Sequence, residues 1–293
     1  MLRQHCGSSR LLTELCGCTV YLKKDFKQIT GSFKERGGRN ALMLLSAEAK
    51  KAGVITASAG NHALALAWHG RDLGIPVTCV MPTVAPLTKV ENCRKYGANI
   101  ILQGQHIGEA KEYAQREFPD LKYINGYDDP EIIAGAGTMG IEILEQVPDV
   151  DVVLVPVGGA GLIAGMFDSL NQRMNKNFID AILNVLNSTS PSYIYCQPSF
   201  SAFMSGVSLA IKTMRNDVQV IGVEPINVAS YAAAIKAGHP VNGFKEATLA
   251  DGLAVPIVGE IQFPPWFTSF DVLLRKTMMH IALKVVVSYE YTA

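Results

Sequence analysis

From about residue 39 the chain alternates between two apolar patterns. Apolar residues on a three-to-four spacing argue amphipathic helices, and short continuous apolar runs between them argue strands buried on both faces. The spacing predicts helices over "RNALMLLSAEAKKAG", "NHALALAWHGRDLG", "APLTKVENCRKYG", "IGEAKEYAQREF" and "PEIIAGAGTMGIEILEQV". The runs "VITAS", "IPVTCVMP", "ANIILQ", "LKYIN" and "DVDVVLVPVGG" read as strands. Gly53, Gly74 and Gly97 stand where the helical patterns stop, the usual place for a terminating glycine. Such alternation predicts an α/β fold, with parallel strands covered by helices on both faces. Ligands of such sheets sit beyond the carboxyl ends of the strands. Two unusual loops fall there, "TASAGNH" after the strand at 54–57 and "PVGGAGLIAG" after the strand at 151–157.

Two segments break the rhythm. Residues 166–206 are rich in Asn and Ser and lack βα alternation, so they read as an insertion. Excising them joins "GGAGLIAG" to "VSLAIKTM" in one helical pattern, followed by the strand in "VQVIGVEP". After Gly259 no further βα unit follows, and 260–293 reads as an aberrant C-terminal segment. The expected organisation is one catalytic unit over 1–293 made of two interleaved lobes, the smaller covering roughly 40–125.

Composition narrows the function classes. Apolar residues make up 48% and mean hydropathy is +0.18, enough for a sizeable core. No run of eighteen apolar residues occurs, so no membrane-spanning helix is expected. Twenty-six basic and 26 acidic residues cancel, which argues against a nucleic-acid or membrane surface. The six cysteines match no zinc spacing, and the start lacks a long apolar core of the export type. Reduced thiols and that start lead us to expect a cytoplasmic protein.

The candidate chemistry lies in three loops. In "GSFKERGGRN" one lysine, Lys34, is boxed in by small residues and Phe33. An amine nucleophile must spend time unprotonated, and burial or nearby positive charge (Arg36 and Arg39 are close in sequence) lowers its pKa. "SAGNH", Ser58 to His62, offers a hydroxyl, amides and an asparagine at a strand-to-helix junction, an anion-friendly nest that is equally an ordinary helix cap. "GGAGLIAG" opens a helix after a strand, where free amides and the helix dipole favour an anion and small residues let a phosphate approach. Gly159, Gly161 and Ala164 also fit a dinucleotide fingerprint, but that motif belongs in a first βα unit and this one comes late. His62 and His69 share one helix face with no third ligand evident, so no metal site is expected.

In order, "TGSFKERG", "ASAGNH", "VPVGGAGLIAG", "VIGVEP" and "LADGLAV" resemble the serine/threonine dehydratase family, over residues 8–165 and again over 207–259. These are pyridoxal-phosphate enzymes of the tryptophan-synthase-β-like fold, and the resemblance is strongest to the threonine ammonia-lyase branch, with serine racemase a close relative. It implies that Lys34 forms the Schiff base with pyridoxal 5'-phosphate and that Phe33 lies against its ring. It further implies that Asn61 bonds the cofactor's 3'-hydroxyl and that the Ser58, Ala59, Gly60 and His62 loop holds the substrate carboxylate. Gly158, Gly159, Ala160 and Gly161 would wrap the phosphate, and Gly252 would line the cofactor side. The implied reaction is β-elimination from L-threonine and L-serine, giving 2-oxobutanoate or pyruvate and ammonia, with Lys34 as base. Ala59 stands where similar serine racemases carry a second serine, which favours the dehydratase. Ala160 replaces a glycine of the usual phosphate loop. Ser230 stands where some relatives place an acidic metal ligand a turn after Glu224, so no cation is expected there. The family's final strands have no counterpart after Gly259, so a catalytically impaired fragment is one alternative reading, and a serine racemase is the other. Assembly as a homodimer or homotetramer stays open.

Overall fold

The computed structural model describes residues 2–158, 192–196, 204–246, 253, 255–259 and 272–274. Two sheets organise them. The first chain segment builds β1 (Cys6–Ser8), α1 (Arg10–Cys16) and β2 (Thr19–Lys23), and a short 3-10 turn at Asp25–Lys27 follows. Then come α2 (Lys34–Met43), α3 (Ala47–Ala52), β3 (Val54–Ala57), α4 (Asn61–Leu73), β4 (Val77–Met81) and α5 (Leu87–Lys95). They are followed by β5 (Asn99–Leu102), α6 (Ile107–Glu117), β6 (Lys122–Tyr123), α7 (Pro130–Gln146) and β7 (Val152–Pro156). The remaining elements are β8 (Ser192–Cys196), α8 (Met204–Met214), β9 (Gln219–Glu224), α9 (Ser230–Ala237) and β10 (Val272–Leu274).

The smaller sheet runs β5-β4-β3-β6 and every pairing in it is parallel. The larger runs β1-β2-β8-β7-β9-β10, parallel except for the β1–β2 pair. β8 comes from the stretch that reads as an insertion, yet it lies between β2 and β7. Removing 166–206 as a unit would therefore take a central strand with it; the rest of 166–203 lies outside the described residues. Of 260–293, only β10 is described.

The helical pattern over residues 39–53 resolves differently from its sequence reading. The first helix starts earlier, at Lys34, and stops at Leu44. Ser46 then caps a second helix, its hydroxyl accepting the Ala49 N–H at 3.2 Å. A good N-cap residue inside an apolar run gives the chain a way to end one helix and begin another. α2 is wedged between α4 and α7, and two glycines allow it. A Cβ on Gly37 would come 2.7 Å from the Ile132 carbonyl, and one on Gly135 would come 2.5 Å from the Arg36 carbonyl. The core continues from Leu42 and Leu66 through Ile132 and Met139 to Val153 and Val155 under the larger sheet. No described helix is long and apolar enough to cross a membrane.

Candidate active site

Lys34 is the first residue of α2 and only 6% exposed. Its Nζ donates to the Gly126 carbonyl at 2.5 Å and lies 5.3 Å from the centre of the buried Phe33 ring. Burial pushes the amine down from 10.5 to about 7. Of the two causes that the sequence left open, burial is the one at work. The nearby arginines turn away: Arg36 faces Asp25 and Glu142, and Arg39 faces Asp72.

The "SAGNH" loop follows β3 and opens α4. Gly60 occupies the N-cap and offers no side chain, so the first amides of this 13-residue helix carry no side-chain cap. Ser58 Oγ accepts the Gly60 N–H at 3.3 Å instead of capping the helix. Residues 58–61 are half-buried, within reach of a ligand. Uncapped amides at a helix start favour an anion such as a carboxylate.

His62 sits one residue into α4 and is 5% exposed. Its Nε2 is 3.3 Å from the Ile124 carbonyl, which can only accept, so Nε2 carries the hydrogen and Nδ1 is left as a bare acceptor. That Nδ1 is buried without a hydrogen-bond partner. Burial, and then the charge of Lys34, lower His62 to about 3. Near neutral pH the imidazole is therefore uncharged.

The segment joining these groups was not singled out from the sequence. Ile124 continues β6: its N–H donates to the Ile55 carbonyl, and its own carbonyl accepts from the Thr56 hydroxyl. Asn125 Oδ1 accepts the N–H groups of Tyr127 and Asp128, folding a tight turn. Gly126, inside that turn, presents its carbonyl to Lys34 while its Cα faces His62. A Cβ there would come 2.8 Å from His62 Cγ. The Asn-Gly dipeptide was the one available signal of this turn.

Behind Lys34 lies a buried ion cluster that sequence reasoning also missed. Arg36 bonds Asp25 through Nε and an NH2 nitrogen at 2.6 and 2.9 Å, and Glu142 at 2.9 and 2.8 Å. Its fifth hydrogen goes to Thr138 Oγ1 at 3.0 Å. Lys23 Nζ joins Glu142 at 2.7 Å and the Gln4 carbonyl at 2.6 Å. Burial alone would raise the Glu142 carboxyl, but the bonds and charges of Arg36 and Lys23 outweigh it and hold it below its ordinary value. Two cations and two carboxylates thus fix α2 to α7 and to β2.

Gly158 is buried at the end of β7. Gly159, Ala160, Gly161 and Gly252 lie outside the described residues. At the end of β9, Glu224 caps α9 by accepting the N–H groups of Tyr231 at 2.8 Å and Ala232 at 3.0 Å. Burial pushes its carboxyl up to about 7. Ser230 directs its hydroxyl to the Val255 carbonyl.

A buried amine held near neutrality, beside an uncapped helix start, suits a group that presents an aldehyde and a substrate that presents a carboxylate. Comparison with known families decides the affiliation: residues 5–185 match the model described as pyridoxal-phosphate dependent enzyme. The chain belongs to that family. It is 40% identical over 257 residues to an L-threonine ammonia-lyase of Thermotoga maritima, a match covering 87% of this chain and 54% of that one. It is 36% identical over 254 residues to the biosynthetic, chloroplastic threonine dehydratase 2 of Solanum lycopersicum, covering 86% of this chain and 36% of the relative. The chain thus spans about half or less of the length of these relatives. Among solved structures, the processed form of threonine deaminase isoform 2 from Solanum lycopersicum superposes with a TM-score of 0.76 at 32% identity, covering 94% of this chain and 69% of that one. Maize serine racemase superposes with a TM-score of 0.78 at 28% identity, covering 97% and 74%. The α/β fold with parallel sheets agrees with these neighbours.

Proposed function

We propose that this chain is a pyridoxal-phosphate-dependent ammonia-lyase acting on L-threonine and, by the same chemistry, on L-serine. The observation that carries the reading is Lys34, a buried amine driven to about 7 and directed by the Gly126 carbonyl beside the open start of α4. The similarity to threonine ammonia-lyases supports the substrate class. Pyridoxal phosphate supplies an electron sink for the charge left when a bond to the α-carbon of an amino acid breaks.

The protein's own groups do the rest. Lys34, neutral for a large share of the time at pH 7, can capture the cofactor's carbonyl carbon and, once released, take a proton from the substrate's α-carbon. Phe33, buried beside it, offers an apolar wall for a flat ring. The amides of Asn61 and His62 receive the substrate carboxylate, and the Asn61 side chain is available to a hydroxyl on the ring. His62, uncharged, adds no competing positive charge, so the substrate carboxylate is drawn to the helix start. Gly158, with Gly159, Ala160 and Gly161, is the proposed phosphate cradle. Ala59 offers no hydroxyl on the face opposite Lys34, which favours elimination over racemisation.

The test is direct. The full chain with pyridoxal phosphate should develop the near-visible absorbance of a lysine-bound cofactor, and L-threonine should then yield 2-oxobutanoate and ammonia. Lys34→Ala should abolish both. Absorbance that survives in Lys34→Ala rejects the assignment of Lys34. Cofactor absorbance without turnover supports the reading of an impaired fragment.

A further inference from the structure

His69 shares a helix face with His62 but serves a different purpose. It is fully buried, as is Glu35, the residue after Lys34. His69 Nε2 lies 3.2 Å from Glu35 Oε2, and its Nδ1 lies 3.1 Å from Arg39 NH1. An arginine can only donate. Nδ1 therefore accepts, and the ring hydrogen sits on Nε2, pointing at Glu35. The same Arg39 nitrogen donates to Asp72 Oδ2 at 2.6 Å, tying the ring to the half-exposed rim of α4. The second oxygen of Glu35 accepts the Thr30 N–H, closing the turn that leads into Lys34.

The chain of bonds runs from Asp72 through Arg39, His69 and Glu35 to Thr30. It crosses from α4 to α2 and ends on the residues just before Lys34. The charged and titratable groups facing His69 are Glu35 and Arg39 from α2 and Asp72 from α4.

We propose that His69 is a positioning residue: bridging Arg39 and Glu35 as the Nε2–H tautomer, it holds the Thr30 turn against α2 and so keeps the Lys34 amine buried. It touches neither cofactor nor substrate. The proposal rests on the reading of Lys34 as the reactive amine. It also explains why a glutamate can stand next to that lysine without pairing with it: both Glu35 oxygens are already engaged elsewhere. If the turn opened, water would reach the amine and its affinity for a proton would rise toward that of an exposed lysine.

The experiment follows the Lys34 amine without turnover. The full chain, with no cofactor added, is reductively methylated with formaldehyde and a borane across pH, and modification of the Lys34 peptide is read by mass spectrometry. The wild type should be half-reactive near pH 7. His69→Leu should move that midpoint up by about one pH unit, lowering the rate at pH 7 about fivefold. His69→Gln, whose amide can still donate to Glu35, should stay within about twofold of the wild type, by the same relation. Arg39→Met, at a partly exposed site, frees the ring to turn over and should also raise the midpoint, which keeps the test alive should His69→Leu fail to fold. A midpoint unchanged in a folded His69→Leu or in Arg39→Met overturns the proposal, as does an equal shift in His69→Gln and His69→Leu. A simple core histidine would lower the melting temperature and leave the midpoint alone. Absorbance with added pyridoxal phosphate, recorded in parallel on the wild type, separates this from the functional reading: no absorbance but the expected midpoints would sink only the latter.

Discussion

Replacing Arg36 by leucine should destabilise the protein far more than an exposed charge change would. All five guanidinium hydrogens are engaged, two on Asp25, two on Glu142 and one on Thr138. The Arg36 side chain is inaccessible, and its carboxylate partners are 7% and 12% exposed. Leucine fills much of the space but strands Asp25, while Glu142 keeps Lys23. Breaking a buried pair from one side costs about 3–5 kcal/mol, mostly because a charge is left without compensation. At about 2–4 °C per kcal/mol for a chain of this size, the melting temperature should fall by roughly 6–20 °C. Urea denaturation of the wild type, Arg36→Leu, Asp25→Asn and the double variant measures the coupling. The double variant should recover at least about 1 kcal/mol relative to Arg36→Leu, because the stranded charge is gone. The pH dependence has a definite sign. Glu142 is depressed in the folded state, so its contribution is present above the ordinary value of 4.5 and lost as pH falls through the folded value. In Arg36→Leu, which leaves Glu142 less depressed, that contribution should be smaller and its loss complete at a higher pH. A cost under about 1 kcal/mol, or strict additivity in the cycle, would refute the claim that this cluster anchors α2.

Two further outcomes follow from the site. The fall of Lys34 from 10.5 to about 7 is worth on the order of 4 kcal/mol at neutral pH, so Lys34→Met should make the cofactor-free protein more stable there. Because the folded lysine sheds its proton first, wild-type stability should climb between pH 7 and 10.5 and close that gap; a variant no more stable at pH 7 in denaturant titrations contradicts the burial argument. Gly126→Ala should push His62 aside or displace the carbonyl that holds Lys34, weakening pyridoxal phosphate capture at least about tenfold, equivalent to about 1.4 kcal/mol. Capture within twofold of wild type, followed by absorbance, would show that the turn has slack.

The βα alternation was legible because each unit is bounded by local chemistry. Gly53, Gly74 and Gly97 adopt positive φ where the helical pattern stops, and β3 and β4 are apolar on both faces as a covered parallel sheet requires. Lys34 and the "SAGNH" loop could be picked out as candidates because one lysine beside an aromatic, or one helix start, is a local object. Lys23, Asp25, Arg36 and Glu142 were not. Each reads as a surface charge in its own segment, and only packing across 119 positions brings Lys23 to Glu142. Gly126 was hidden for the same reason, since its constraint comes from His62, 64 positions earlier by numbering. "SYIYC" carries aromatic and β-branched strand character, but the Asn- and Ser-rich sequence around it masked that signal.

The strand order of the larger sheet bears on how the chain is made. β1 and β2 leave the ribosome before the other described strands, yet β2 finds its parallel neighbour only in β8, some 170 residues later. The smaller sheet, by contrast, draws all four strands from residues 54–123 and can form while the rest is still being synthesised. The β1–β2 pair must therefore wait, its open edge exposed, for a late strand to arrive. Synthesis stalled or cut short before residue 192 would release a chain with a finished small lobe and an unpaired β2 edge, the kind of species that chaperones hold and proteases remove.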